Sequence, residues 1–213
     1  MIRVVQQNDW VVFLLIGCIF LYVFMLLSLK RDSNVRDFLI QKFPDSANNF
    51  LSWIIISLVF CSLLAAFISP YIPVIPARVR ELQLFGYELN KFGFSLVTIL
   101  IFYCIRNLVS YLFYAGTGSL KKWHIFYFTI SKFYFCVSIL LMVLCVVNYF
   151  YLFNKTRAFE IYFAVFSMLF VFKLIYYLSH RNNILPPKWY YKFLYICTLQ
   201  IVPVLVLWKV LFF

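Results

Sequence analysis

Six apolar runs, each about 20 residues or longer, constrain this chain more than any other feature of its sequence. The runs cover residues 10–29, 50–69, 92–114, 125–150, 159–178 and 190–213. At a rise of ~1.5 Å per residue, a helix of this length crosses the ~30 Å hydrocarbon core of a membrane. Strands of a soluble domain end after roughly 4–8 residues, so the runs predict helices instead. The sequence therefore predicts an all-α, polytopic membrane helical bundle with about six transmembrane helices.

Composition supports a membrane protein and leaves no room for a second, soluble domain. Hydrophobic residues make up 65% of the 213 residues and charged residues 12%, about half the charged fraction of a typical soluble domain. Because the segments between the runs are short, we predict one integral membrane domain over residues 1–213. The net charge of +12 is spread over loops and helix ends without a nucleic-acid-binding motif. We therefore expect membrane lipids with anionic headgroups as partners, and no nucleic acid.

Two segments between the runs have the periodicity of amphipathic helices. Residues 32–43 contain an apolar helical face made of Val35, Phe38, Leu39 and Phe43. Residues 77–91 follow a proline-rich connector and repeat apolar residues at the same spacing. We expect both segments to be interfacial helices that lie flat on opposite surfaces of the membrane, with a re-entrant element as the alternative for the second segment.

The distribution of Lys and Arg predicts the orientation of the spans. If the N-terminus faces outward, twelve of these cations lie on the cytoplasmic side and seven on the other side. Cytoplasmic segments of membrane proteins carry an excess of Lys and Arg. The predicted topology is therefore six spans with both termini outside the cytoplasm, and with anionic headgroups bound at the cytoplasmic face.

Three cations inside the runs are candidate ligand-binding residues, because ionisable groups within a bilayer are costly. Arg106 lies eight residues from the end of its run, about 12 Å deep, on a helix half that also contains Asn107. A structural role is the alternative, with Arg106 capping carbonyls or fixing the helix register on a lipid phosphate. Lys132 and Lys173 lie at similar depth on the same side, and either extend to headgroups or converge with Arg106 in a basic pocket for lipid phosphate.

The last run contains three polar or helix-disturbing residues, Thr198, Gln200 and Pro203. Pro203 removes one backbone hydrogen bond and frees the carbonyl of Leu199, so a kink is expected. Thr198 and Gln200 are predicted to satisfy the freed groups or to bond a neighbouring helix, as structural polar residues.

The residue types needed for catalysis are sparse in this sequence. The six runs contain no Asp, and Glu160 lies close to the start of its run. His124 and His180 are isolated, no HExxH or GxSxG pattern occurs, and no carboxylate pair is placed for Mg²⁺ or acid–base chemistry. We therefore predict no catalytic residue, no metal and no cofactor, and a protein that is not an enzyme.

The segment 188–203 carries a family resemblance. Its sequence, KWYYKFLYICTLQIVP, is similar to the closing segment of a multi-pass membrane protein family of unknown function from Bacteroidota. The residues Asn8, Asp9 and Trp10 before the first run fit that family as well. The resemblance implies an inner-membrane protein of a Gram-negative bacterium, with periplasmic termini, and implies no established activity. Relatives often carry an acid before the proline, where this chain has Gln200, so a proton-relay role does not transfer to this position.

Two functions are compatible with these observations. The first is a scaffold or accessory subunit of an envelope assembly, with other envelope membrane proteins as partners. It is indicated by the missing catalytic residues, the two amphipathic segments and the aromatic-rich faces. The alternative is a binding or transport protein for an anionic lipid or amphiphile, using Arg106 with Lys132 or Lys173. A stoichiometric set of partner proteins would favour the first, and a retained anionic lipid would favour the second.

Overall fold

The structure is a computed structural model, and it describes residues 9–29, 34–41, 48–73, 90–151, 154–179, 185–186 and 188–212. Every element of regular structure in these ranges is helical. The α-helices are α1 (Asp9–Phe24), α2 (Val35–Ile40), α3 (Asn49–Ile68), α4 (Lys91–Gly116), α5 (Leu120–Phe150), α6 (Lys155–Ser179), α7 (Trp189–Leu194) and α8 (Val202–Phe212). A π-helical segment, Met25–Leu29, continues α1, and a second one, Tyr195–Ile201, joins α7 to α8. A 3₁₀ turn, Ser69–Tyr71, ends α3.

Six helical stretches of the described chain are long and apolar enough to cross a membrane. They are Asp9–Leu29, Asn49–Tyr71, Lys91–Gly116, Lys122–Phe150, Thr156–Leu178 and Trp189–Phe212. The predicted all-α fold with six membrane-spanning helices is confirmed, and the chain is a multi-pass membrane protein. Some helices begin before the apolar runs, because backbone hydrogen bonding continues through polar residues. This is clearest in α5, which begins five residues before its predicted run.

The first predicted interfacial segment coincides with α2, which is shorter than the predicted 32–43. Phe38 is buried, with 2% of its surface exposed, whereas Val35 is 43% and Leu39 is 36% exposed. Of the predicted apolar face, Phe38 is therefore the one described residue that packs inside the protein, while Val35 and Leu39 remain exposed.

The second predicted interfacial segment, 77–91, lies outside the described residues up to residue 89. The described end of the segment differs from the prediction, because Asn90 is extended and Lys91 already belongs to the spanning helix α4. The side-chain oxygen of Asn90 accepts a hydrogen bond of 3.0 Å from the backbone N–H of Gly93, which is a standard N-cap. Lys91 Nζ donates to the carbonyl of Ile72 at 2.8 Å, which joins the start of α4 to the residue that follows the 3₁₀ turn after α3.

The chain forms two compact units, Met1–Phe67 with Ile130–Leu152, and Ile68–Thr129 with Phe153–Phe213. Both units are made of spanning helices, and α5 contributes residues to each. In the first unit, α1 buries one face with residues three or four positions apart, namely Val11, Leu15, Cys18, Tyr22 and Met25. The Tyr22 and Ser138 hydroxyls are hydrogen-bonded, and the Tyr22 ring centroid lies 4.8 Å from that of Phe135. Tyr149 donates to the carbonyl of Ala66 at 2.8 Å, which joins α5 to α3.

The second unit has an aromatic cluster at its centre, formed by Tyr114 of α4, Phe126 of α5, Tyr177 of α6 and Tyr195 of the second π segment. Each of the four side chains is at most 3% exposed. The ring centroid of Phe126 lies 5.3 Å from that of Tyr114, 5.5 Å from Tyr177 and 5.7 Å from Tyr195. Such pairs contribute ~0.5–1.5 kcal/mol each beyond their burial. Aromatic packing thus joins four spanning helices without the small-residue seams that many membrane helices use.

The last spanning helix is disturbed ahead of Pro203. The N–H of Val202 donates to the carbonyl of Cys197, five residues earlier, so the turn before the proline is a π turn. A proline in a regular helix removes an N–H and collides with the carbonyl four residues before it, here that of Leu199. The widened turn accommodates that collision, which gives the predicted irregularity at Pro203 a specific form.

Candidate functional site

Arg106 occupies the middle part of α4, ten residues before Gly116 and roughly 15 Å from that end of the helix. Its neighbours on the inward side of α4 are buried, among them Tyr103, Ser110 and Tyr114. The guanidinium of Arg106 is half-buried. The helix extends two residues beyond the predicted run, so Arg106 lies farther from its end than the predicted ~12 Å, and the polar half of α4 faces the interior of the second unit.

A chain of hydrogen bonds links Arg106 to the last spanning helix. Nη2 of Arg106 donates to Oε1 of Gln200 at 3.0 Å. Nε2 of Gln200 in turn donates to the hydroxyl oxygen of Tyr195 at 3.0 Å. Gln200 is 1% exposed and Tyr195 is fully buried. Gln200 lies eleven residues after Trp189 and twelve before Phe212, so this polar chain crosses the middle of the span.

Lys173 of α6 belongs to the same region. Its side chain is 6% exposed, and Nζ lies 5.5 Å from the centroid of the Tyr177 ring, at cation–π distance. The positive charge of Arg106 acts electrostatically on the Lys173 ammonium. The structure therefore brings together two of the three cations that the sequence predicted as one pocket. We call Arg106, Lys173 and Gln200 the cationic site.

The aromatic cluster lies beside the cationic site, because Tyr177 contacts Lys173 and Tyr195 accepts a hydrogen bond from Gln200. Phenol and phenyl rings exclude water and lower the local dielectric, so charges beside them interact more strongly than charges at a surface. The sequence of α4, α6, α7, the second π segment and α8 contains one acid, Glu160. Glu160 lies thirteen residues before Lys173, roughly 20 Å along α6. The charge composition of these helices therefore favours an anion at the cationic site.

Asn107 follows Arg106 on α4 and is half-buried. Its side-chain nitrogen, Nδ2, is buried without a hydrogen-bond partner in the described part of the chain. A buried donor left in this way costs ~1–3 kcal/mol. On α4 the Asn107 side chain points about 100° away from that of Arg106, so the two flank the inward face.

Lys132, the third predicted cation, lies in the first unit and has a different environment. Its Nζ donates to the carbonyl of Leu39 at 2.9 Å and to the carbonyl of Gln41, at the end of α2. It also lies 6.0 Å from the ring centroid of Phe38. A cation at the C-terminal carbonyls of a helix satisfies orphan acceptors and complements the helix dipole. These contacts give Lys132 a structural role as a cap for α2.

Thr198, the other polar residue predicted in the last helix, forms a hydrogen bond within that helix. Thr198 donates from its hydroxyl to the carbonyl of Leu194 at 2.6 Å, four residues earlier in the same helix. Tyr195 and Tyr177 were not among the site residues predicted from the sequence. Two features of the sequence could have indicated them. Tyr177 lies four residues after Lys173 and therefore on the same helix face. Pro203 favours a π turn in the residues before it, and that turn brings Tyr195 to Gln200.

No group of three or more His, Cys, Asp or Glu side chains in the described ranges is arranged to hold a metal ion. Comparison with protein-family models, with curated proteins and with solved structures finds no match for this chain. The resemblance of segment 188–203 to a Bacteroidota family therefore stays a prediction.

Proposed function

We propose that this multi-pass membrane protein binds an anionic amphiphile, and that Arg106 and Lys173 hold the anionic group. The observation that carries the proposal is the convergence of two cations in one buried region of the second unit, far from the ends of α4. Each such cation costs ~2.5–3.5 kcal/mol when placed centrally in a membrane helix. Two such cations in one region cost more, because they repel each other. An anion between them turns that repulsion into two attractions.

The location of the cationic site favours an amphiphile over a water-soluble ion. Arg106 and Gln200 lie near the middle of their spans, and the outer face of α4 is apolar along Ile101, Ile105 and Leu108, each more than half exposed. A ligand that arrives through the lipid phase keeps its apolar part against such faces while its anionic group enters the site. A binding or transport role needs no nucleophile or general acid, so we propose a protein that is not an enzyme.

The experiment is lipid retention measured by native mass spectrometry on the full chain, released from membranes in mild detergent. Arg106→Gln and Lys173→Met are each expected to lower the retained anionic lipid at least tenfold, about 1.4 kcal/mol. Arg157→Gln and Lys209→Met are the matched controls, because both remove an exposed cation from a spanning helix. Equal retention in all four variants would refute the proposal, and so would equal losses.

We also propose that the protein lies in a bacterial inner membrane, with both termini in the periplasm. The excess of Lys and Arg in one set of connections supports the orientation, and the resemblance of segment 188–203 supports the membrane. Reporter fusions after residues 119 and 213 test it. The first fusion is expected to be active on the cytoplasmic side and the second on the periplasmic side. The opposite pattern would invert the topology.

A second candidate function is an accessory subunit of an envelope assembly with other membrane proteins. The observation that favours it is the outward surface of α6 and α7. Met168 is 76% exposed and Trp189 78% exposed, and Trp189 stacks on Phe193 at a centroid distance of 6.0 Å. An affinity pull-down from native membranes tests this function. A stoichiometric set of membrane proteins, lost in Trp189→Ala but retained in Arg106→Gln, would support it over lipid binding.

A further inference from the structure

We propose that Gln200 is an internal competitor of the anionic ligand for the guanidinium of Arg106. The inference rests on the proposed function, and it adds how the site is regulated. The carboxamide oxygen of Gln200 occupies the position that an anionic oxygen of the ligand takes when it binds. Binding then requires the Gln200 side chain to turn away from Arg106.

The contact between Arg106 and Gln200 supports this inference directly. Nη2 of Arg106 and Oε1 of Gln200 are 3.0 Å apart, a normal distance for a hydrogen bond between a guanidinium and an amide. The amide oxygen of Gln200 is a neutral acceptor. A phosphate or carboxylate oxygen is charged, so its hydrogen bond to a guanidinium is shorter and stronger. Two such oxygens also match the planar pair of N–H groups that a guanidinium offers. An anion that reaches Arg106 is therefore the stronger acceptor and displaces the amide.

The backbone around Gln200 explains how the amide is held in place. In an α-helix, residues 195 and 200 would point about 140° apart. In the π segment Tyr195–Ile201 the backbone bonds span five residues, so Tyr195 and Gln200 meet and Nε2 donates to the Tyr195 hydroxyl at 3.0 Å. Tyr195 is itself fixed within the aromatic cluster, 5.7 Å from Phe126 between ring centroids. The amide thus has one anchored end and one end that bonds the cation.

The chemistry of the site also narrows the ligand. Arg106 offers several N–H groups in one plane and Lys173 adds a second positive charge close by. A group with at least two anionic or polar oxygens, such as a phosphate, uses both cations at once. A phospholipid headgroup and inorganic phosphate share this chemistry, and the proposed function favours the phospholipid.

Two substitutions at Gln200 separate competition from ligand contact. Gln200→Met keeps the size of the side chain and removes its oxygen, so a competitor is lost and the affinity for phosphatidylglycerol is expected to rise about threefold to tenfold. Gln200→Glu places a carboxylate against Arg106 and is expected to lower the affinity at least tenfold. Thr198→Val is the matched control, since Thr198 lies on the same segment and donates to the carbonyl of Leu194 in its own helix.

The measurement is a titration of the purified full-length protein with phosphatidylglycerol in mild detergent, repeated with inorganic phosphate. Thermal unfolding of each variant confirms that it is folded, and Gln200→Leu replaces Gln200→Met if the latter does not insert. Opposite shifts in the two Gln200 variants support competition. A loss of affinity in Gln200→Met overturns it, because Gln200 would then contact the ligand. Unchanged affinities in both variants overturn it as well.

The outcomes also separate this inference from the proposed function. If the unsubstituted protein shows no Arg106-dependent binding of phosphatidylglycerol, the proposed function fails. If Arg106-dependent binding exists and does not respond to Gln200, the competition alone fails. If inorganic phosphate binds saturably and as tightly as phosphatidylglycerol, the ligand would be a soluble anion. That result would overturn the choice of a phospholipid.

Discussion

Lys132 in the first unit and the pair Arg106 and Lys173 in the second unit show two ways to place cations inside membrane helices. Lys132 donates to main-chain carbonyls at the end of α2, which are fixed acceptors that every helix end has to satisfy. Arg106 bonds a side-chain amide, and Lys173 lies over an aromatic ring. A cation held by backbone carbonyls is part of the fold. Two cations held by replaceable side-chain groups form a site that an anion can enter.

Charge reversal at Lys173 is expected to have the largest effect on binding. In Lys173→Glu, the new carboxylate lies near Arg106 and pairs with it, so the affinity for phosphatidylglycerol falls about 100-fold, or ~2.7 kcal/mol. The free energy of unfolding is expected to stay equal or to rise, because an attraction replaces a repulsion. Lipid titration together with thermal unfolding in detergent checks both statements. Binding that survives the reversal would show that Lys173 is not part of an anion site.

Charge reversal at Lys132 is expected to have the opposite profile. Lys132→Glu leaves the carbonyls of Leu39 and Gln41 without their donor, and the free energy of unfolding is expected to fall by about 2–3 kcal/mol. Lipid affinity of the folded fraction is expected to stay within twofold of the unsubstituted protein. Lys132→Arg is the control that keeps donors at the helix end. If Lys132→Glu is as stable as Lys132→Arg while its lipid affinity falls, Lys132 would belong to a binding site and would not be a structural cap.

The hydrogen bond between Tyr22 and Ser138 tests whether polar contacts of the first unit stabilise the fold and have no part in lipid binding. A double-mutant cycle with Tyr22→Phe and Ser138→Ala is expected to give a coupling energy of about 1 kcal/mol in thermal unfolding. Lipid affinity is expected to remain unchanged in all three variants. A coupling energy near zero would mean that this buried bond contributes nothing to the first unit.

Asn107 provides the smallest expected effect. Asn107→Leu removes a buried donor that lacks a hydrogen-bond partner in the described chain, so the free energy of unfolding is expected to rise by about 1 kcal/mol. Thermal unfolding measures the change, and a decrease of similar size would contradict it. The same variant defines the extent of the site, since a tenfold loss of lipid affinity would add Asn107 to Arg106 and Lys173.

The six spanning helices were predictable because the length of an apolar run and the thickness of a membrane determine them almost alone. Arg106 and Lys173 were recognisable as candidates because a cation inside such a run needs a reason. The partner of Lys132 was not predictable, since it depends on where α2 packs. The contact of Gln200 with Tyr195 was missed because regular helical spacing places them on different sides. Pro203 pointed to an irregular turn, but only the π geometry shows which residues it brings together.

The central claim is that Arg106 touches an anionic group of a lipid. Solid-state NMR tests it by dipolar dephasing between the phosphorus of phosphatidylglycerol and the guanidinium nitrogens of ¹⁵N-arginine-labelled protein in bilayers. Arg106→Gln serves as the reference that removes one signal and leaves those of the other arginines. We predict a dephased arginine signal that is absent from the reference. Identical dephasing in both samples would contradict the account, because every phosphate contact would then belong to arginines other than Arg106.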